Sequence, residues 1–251
     1  MRVTVWGERF LEGESLPGRP PPINYASYID EARRIYPDDI HEAIASALRG
    51  LLGEDDVVVT ATLDDPGHGL TDEVLAATDV LIWWGHVKHI VVTDEEAERV
   101  CRRVTDDGMG LIMLHAGSGS KVFRGLMGKS CRAAVLRQGD DWEALWTVMP
   151  SHPIASGIEP VVVLLHEEMF GEYFDIPTPD DVVFISSFRA VRCSAVGAAS
   201  PAVRGASSTS VRVMSRIRPI TIRGSSRSWR TPRAGRATTH RRTLPFLTYS
   251  T

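Results

Sequence analysis

The apolar positions along residues 1 to about 187 alternate between short continuous runs and stretches with helical spacing. The continuous runs predict buried strands at Val3–Trp6, Val57–Leu63, Val80–Trp84 and Gly110–Leu114. The stretches between them predict helices at Asp39–Leu52, Thr71–Ala77, Thr93–Asp106 and Ser120–Met127. Strands that alternate with helices are joined by crossover connections, so we expect an α/β fold with an open, mainly parallel sheet and helices on both faces.

The rest of the chain carries weaker signals. Residues 7–37 are rich in Gly and Pro and predict a long loop, while Val161–Leu165 and Val182–Ser186 predict later strands. After Phe188 no helical or strand periodicity persists. We therefore expect the domain to occupy residues 1–187. Residues 188–251 should lack a packed fold of their own, and any short piece that pairs with the sheet should be apolar.

Charge divides the chain at the same place. Residues 1–181 hold all 32 acidic side chains, whereas residues 182–251 hold 13 arginines and no Asp, Glu or Lys. A basic tail can bind nucleic acid, but such tails usually mix Lys with Arg, and this segment carries scattered Val, Ile, Trp and Phe. We therefore expect no nucleic-acid partner.

The composition also bears on the cellular compartment. The three cysteines are widely spaced and odd in number, which favours a reducing cytoplasm over a disulfide framework. The start has no signal-peptide pattern, and no run of eighteen apolar residues exists, so we expect no membrane partner.

Two predicted strands end in histidine. Val80–Trp84 leads to His86 and His89, and Gly110–Leu114 leads to His115, which small residues follow, including Gly117 and Ser118. Open parallel sheets bind ligands at the carboxyl ends of their strands, so these residues form a candidate site. The turn after His115 can present backbone N–H groups to an anion or a sugar hydroxyl.

Each candidate also has a structural interpretation. A single histidine at a strand end is more often a hydrogen-bonded structural residue, although two at neighbouring ends favour a site. Trp83 and Trp84 point to opposite faces of the sheet, so at least one belongs to the core, while Trp84 can offer an aromatic platform. Glu167 and Glu168 are carboxylates in an otherwise apolar stretch that can act in the site or cap a helix.

The histidines leave several chemistries open. His86, His89 and His115 suit a divalent metal in ligand type, although their spacing is not a recognised metal motif and no cofactor is required. His115 occupies the position where a nucleophile elbow places Ser or Cys. A histidine there cannot perform the usual acyl transfer, which argues against a working amidotransferase or hydrolase.

Several segments together resemble the ThuA-like trehalose-utilisation family. They are Tyr36–His41, Leu81–His86 with His89, Gly108–His115, Pro150–Ile158 and Glu167–Glu172, in that order within residues 1–187. The resemblance implies a flavodoxin-like fold related to class I glutamine amidotransferases, without their catalytic Cys. It further implies a role in the catabolism of trehalose or related sugars. The expected substrates are then small carbohydrates, with keto-sugars among them. By this resemblance His86, His115 and Glu168 would be catalytic, and Trp84, His89, Gly117, Ser118 and Glu167 would bind substrate. The alternative is a non-catalytic domain of the same fold that binds a carbohydrate or a partner.

The resemblance stops where the composition changes. Such proteins end with an aromatic strand, a PGHE-type loop and a final helix, and this chain shows none of them. Val211–Arg223 can be encoded by synonymous codons that translate as PGHESYPTYHHP when they are read in the frame starting at the third base of the Val211 codon. The same shift turns 206–210 into IFYFR and 224–236 into RIVEVMANAARWA. We therefore predict that residues 188–251 are an out-of-frame reading of the missing part.

Overall fold

A computed structural model describes residues 1–9, 30, 32–188, 191–200 and 208–210 of this chain. At 134–141, 166–168, 170–173, 191–200 and 208–210 it describes the backbone alone. No helix in these parts of the chain is long and apolar enough to cross a membrane.

A four-stranded parallel sheet forms the first half of the fold. Its strands are β1 (Arg2–Gly7), β2 (Val57–Thr62), β3 (Val80–Trp84) and β4 (Gly110–Leu114), arranged in the order β2-β1-β3-β4. Each was predicted to within one residue of its observed ends, because a strand buried on both faces is a continuous apolar run. The predicted α/β class with a parallel sheet is confirmed.

Helices connect these strands and begin at side-chain caps. They are α1 (Asp39–Arg49), α2 (Asp72–Ala76), α3 (Asp94–Thr105) and α4 (Lys121–Met127). Thr71, Thr93 and Ser120 accept backbone N–H groups of the helices that follow them, and Glu96 completes a capping box with Thr93. Short 3₁₀ helices lie at Pro66–Gly69, Lys88–Val91, His115–Gly119 and Pro153–Ala155.

The predicted loop at 7–37 is only partly described, since residues 10–29 and 31 lie outside the described part. Residues 32–35 are helical, so the prediction of a loop is wrong there. Ala32 and Tyr36 are buried in the apolar cluster formed with α1, which explains why this piece is ordered next to the sheet.

The core lies on both faces of the parallel sheet. One cluster joins Trp6 and Trp83 with α3 and α4, and the other joins Val5 and Trp84 with α1. Trp83 and Trp84 therefore do face opposite sides of the sheet, and both are buried.

A second, antiparallel sheet follows. It contains β5 (Ala133–Thr147), β6 (Val161–Phe174), β7 (Asp181–Phe188), β8 (Val191–Ser200) and β9 (Ser208–Ser210), in the order β6-β5-β7-β8-β9. The strands predicted at 161–165 and 182–186 are confirmed but longer, whereas β5 was missed. The chain after residue 188 does supply β8, whose sequence is mostly small and apolar, paired with β7. The short β9 lies alongside β4.

Candidate functional site

The histidines that follow β3 and β4 meet at the carboxyl edge of the parallel sheet. Trp84 and Leu114 are register partners in these adjacent strands, so His86 and His115 leave the sheet side by side. Their rings stack with centroids 5.1 Å apart and planes inclined by 26°. The two histidines thus lie together at the ends of adjacent parallel strands, where the sequence placed its candidate site.

His115 has a backbone conformation that few residues with a side chain adopt. Its φ is +50°, in the left-handed region, directly after β4. The residues that follow form the 3₁₀ turn His115–Gly119 and then the Ser120 cap of α4. This strand–turn–helix geometry is that of a nucleophile elbow, with an imidazole in the nucleophile position. Backbone strain of this kind clusters at functional sites.

Trp84 also stacks with His115. Its indole lies parallel to the His115 ring, with centroids 6.0 Å apart and planes inclined by 5°. Trp84 is only 6% exposed. Trp84 is therefore a buried neighbour of His115, and it does not offer the open platform for a sugar ring that the sequence suggested.

His89 lies deeper than His86. It is buried in the short 3₁₀ helix after β3, beside Gly85 and near Gly119. Burial lowers the pKa of both His86 and His89 to about 4, and His89 is lowered further by His86 and Arg124. Both imidazoles are therefore neutral at pH 7, when they can donate one hydrogen bond and accept another.

The remaining predicted site residues differ in position. Gly117 is buried, and a Cβ there would lie 2.6 Å from the Met113 sulfur, so this glycine permits close packing of the turn. Ser118 is partly exposed in the same turn. Glu167 and Glu168 belong to β6, and their side chains lie outside the described part of the structure.

The three histidines do not form a metal site. Among the described residues there is no group of three His, Cys, Asp or Glu side chains that could hold a metal ion. The physical reason is visible in the pair His86–His115, whose rings meet face to face. Metal binding requires ring nitrogens that converge on one point. The described residues therefore give no support to the metal set His86, His89 and His115 considered from the sequence.

The described cysteines offer no nucleophile either. Burial raises the thiol pKa of both Cys101 and Cys131 to about 11, so neither is a thiolate at pH 7. The strand-end position that would carry a nucleophilic Cys or Ser carries His115. Acyl transfer through these groups is therefore not supported.

Sequence reasoning missed three polar groups near this edge. Glu8 directly follows β1 and is 2% exposed. His41 packs against Gly7 at the end of β1. His68 follows β2 and lies 2.8 Å from a carboxylate oxygen of Glu96. His86 was identified because it is a polar residue at the carboxyl end of a strand. Glu8 meets the same criterion, but it was not considered because residues 7–37 were interpreted as a loop.

The family model provides the deciding comparison. Residues 34–233 match the family described as ThuA, trehalose utilisation. The chain belongs to the ThuA family. The match contains His86, His115 and Glu168, and it extends past residue 188. The out-of-frame origin of the later residues remains a prediction. No curated protein matches the sequence of this chain.

Solved structures share the fold of this ThuA-family chain. A ThuA-like protein from Bacteroides uniformis superposes with a TM-score of 0.54 at 11% identity, covering 84% of this chain and 80% of its own. A protein from Salmonella typhimurium described as cytoplasmic gives a TM-score of 0.50 at 16% identity, covering 72% and 77%. At these identities the likeness establishes the ThuA-like fold alone.

Proposed function

We propose that this chain acts in the catabolism of trehalose or a related sugar, on a keto-sugar held at the His86–His115 pair. The observation that carries the proposal is the ring contact between these histidines at the ends of β3 and β4. Open α/β sheets bind their ligands at that edge. Family membership supports the sugar as the class of substrate.

The neutral state of His86 suits a carbonyl substrate. Because its pKa lies near 4, the His86 imidazole is neutral at pH 7. A neutral imidazole still carries one N–H, which it can donate in a hydrogen bond to a carbonyl oxygen. That donation withdraws electrons from the carbonyl group and makes the C–H bond on the neighbouring carbon more acidic. His86 is thus the proposed electrophilic group.

His115 is the proposed base. A base that removes the proton beside the carbonyl leaves its electron pair to form an enolate, whose oxygen His86 stabilises. The proton passes to an imidazole nitrogen of His115 and can return to the same carbon or to a neighbouring atom. Glu168 remains the third proposed catalytic group, with Ser118 and Glu167 assigned to sugar hydroxyls. Trp84, His89 and Gly117 would shape the site from their buried positions.

Deuterium exchange tests this proposal without knowledge of the final product. The chain is incubated in D₂O with a keto-derivative of trehalose, and proton NMR follows the C–H signal beside the carbonyl. We expect the protein to accelerate its loss, and His86→Gln and His115→Asn to abolish most of that acceleration. His152→Gln is the matched control, because His152 caps a 3₁₀ helix on the antiparallel side of the fold.

Two results would contradict the proposal. Calorimetric binding of the keto-sugar without exchange would favour the alternative, a non-catalytic carbohydrate-binding domain. Neither binding nor exchange would remove the keto-sugar as substrate.

A further inference from the structure

We propose that Glu8 is a positioning residue of this site, whose carboxylate holds the loop that carries His86 and His89. Glu8 follows β1 directly, and its side chain reaches across to the loop after β3. The Val87 N–H donates to both carboxylate oxygens, at 2.8 and 3.0 Å, and the His89 N–H donates to one of them at 2.9 Å.

The chemistry of this contact is unusual for a buried carboxylate. Burial raises the pKa of Glu8, and hydrogen bonds from the backbone of residues 86–89 oppose that rise without cancelling it. The Val87 and His89 amides converge on this one carboxyl group, in a concave arrangement of the type that elsewhere binds ligands. Here the protein's own side chain occupies that position and ties the loop to the end of β1.

The loop held by Glu8 contacts the second histidine-bearing turn. The His89 ring lies so close to Gly85 that a Cβ there would be 2.2 Å from its Nδ1. On its other side, His89 Nε2 would lie 3.8 Å from a Cβ on Gly119. His89 thus separates the loop after β3 from the turn after β4, and Glu8 sets that separation through the His89 backbone.

The consequence concerns the His86–His115 contact. The two rings stack at 5.1 Å only if the loop and the turn keep their spacing. Misplacing a catalytic group by about 1 Å can cost roughly 100-fold in rate. Glu8 acts through the position of His86 and touches no substrate. This inference therefore rests on the proposed function only for the catalytic role of His86 and His115.

The test compares Glu8→Gln with the unchanged full-length chain. Glutamine keeps the size of the side chain but has one acceptor oxygen, and its NH₂ group would face backbone N–H donors. Imidazole ¹⁵N spectra across pH 4–8 report the titration of His86 and His89, and amide hydrogen exchange reports Val87 and His89. Glu96→Gln is the control, since Glu96 is also buried and its carboxylate accepts the Thr93 N–H and contacts His68, instead of Val87 and His89.

We expect Glu8→Gln to release the loop into water. The pKa of His86 and His89 should rise from about 4 toward the ordinary value, and exchange at Val87 and His89 should accelerate at least about tenfold. Arg124 and His115, which face the same histidines, are unchanged in all variants. Glu96→Gln should leave both titrations as they are.

The outcomes separate the two proposals. If Glu8→Gln folds and both histidines still titrate near 4, Glu8 is not a positioning residue. If Glu8→Gln does not fold, Glu8→Asp is measured instead. The inference is then overturned if the titration of the histidines and the amide exchange in Glu8→Asp equal those of the unchanged chain. If the titrations shift but the unchanged chain shows no keto-sugar exchange, the positioning role stands and the proposed function fails.

Discussion

At the scale of single residues, four of the five described non-glycine residues with positive φ lie near the carboxyl edge of the parallel sheet. Arg9, His68 and His115 follow β1, β2 and β4, and all three have φ between +48° and +51°. Asp39, at the start of α1, has φ +73°, and its carboxylate lies 3.6 Å from His41 Nδ1. The fifth, Cys131, precedes β5. Each such conformation costs on the order of 1–3 kcal/mol and persists only where its surroundings enforce it. Their concentration at one edge agrees with the placement of the site there.

The conformation of His115 makes a testable distinction between substitutions. His115→Asn should fold nearly as well as the original chain, because Asn is several-fold enriched at positive φ. His115→Val should be less stable than His115→Asn by about 1–3 kcal/mol, since a β-branched residue is strained there. Urea unfolding of both variants measures the difference, and equal stability would show that the φ of His115 is not positive.

The buried histidines predict a loss of stability in acid. Their folded pKa of about 4 lies below the ordinary 6.5, so the unfolded chain binds protons first as the pH falls. The stabilisation is fully present above pH 6.5 and disappears as the pH falls to about 4. It amounts to as much as about 3 kcal/mol for each histidine.

Urea unfolding of His86→Gln at pH 7 and pH 4.5 checks this effect. The variant should lose less stability between the two pH values than the original chain does. An identical pH dependence in both proteins would mean that His86 titrates normally in the folded state.

At the scale of elements, glycines determine how closely the turns of the site approach one another. Gly85→Ala should cost about 1–3 kcal/mol, because its Cβ would overlap the His89 ring and force it aside. Gly50→Ala is the matched control, since Gly50 ends α1 with φ −77° and ψ −14° and has space for a Cβ. That change should stabilise by about 0.4–1 kcal/mol. Thermal unfolding measures both, and a harmless Gly85→Ala would contradict the packing described for His89.

The same scale shows what the sequence could predict. Strands β3 and β4 were predicted with their observed ends, because apolar runs record burial on both faces. The pairing of His86 with His115 followed from parallel order alone. Glu8 also stands at the end of a strand, but its role could not be recognised, since its partners are backbone N–H groups of a loop 79 residues away. Strand β5 was missed because its apolar stretches, AAVL and ALW, are short and are separated by Arg, Asp and Glu.

At the scale of the whole molecule, the antiparallel sheet leaves an apolar surface open. Trp146 on β5 and Val163 and Leu165 on β6 share one face and are 45%, 50% and 51% exposed. Large exposed apolar surfaces normally mark a missing covering element or a partner. The out-of-frame origin of residues 188–251 would supply one reason for such a surface, and it stays a prediction.

Restoring that frame gives the prediction for the whole chain. A one-nucleotide change near codon 189 should yield a protein that unfolds more cooperatively, is more soluble and exchanges the keto-sugar proton faster than the present chain. The reason is that a strand and its covering helix contribute a free energy of the same order as the roughly 5–15 kcal/mol that separates folded from unfolded states. Melting curves of the two proteins, with binding of an apolar dye as a second measure, test it.

Equal melting temperatures would show that residues 188–251 are native sequence. The DNA sequence around codons 186–192 provides an independent check, because an inserted or deleted nucleotide must lie there if the frame changes.

The stack of Trp84 on His115 has an optical consequence. A protonated imidazole in contact with an indole quenches its fluorescence, whereas a neutral imidazole does so much less. The emission of Trp84, isolated from the other five tryptophans as the difference between the original chain and Trp84→Phe, should therefore respond to changes at the His115 ring. A sugar that contacts His115 would change the signal as it binds, so the protein contains its own label for titrating unmodified candidate substrates.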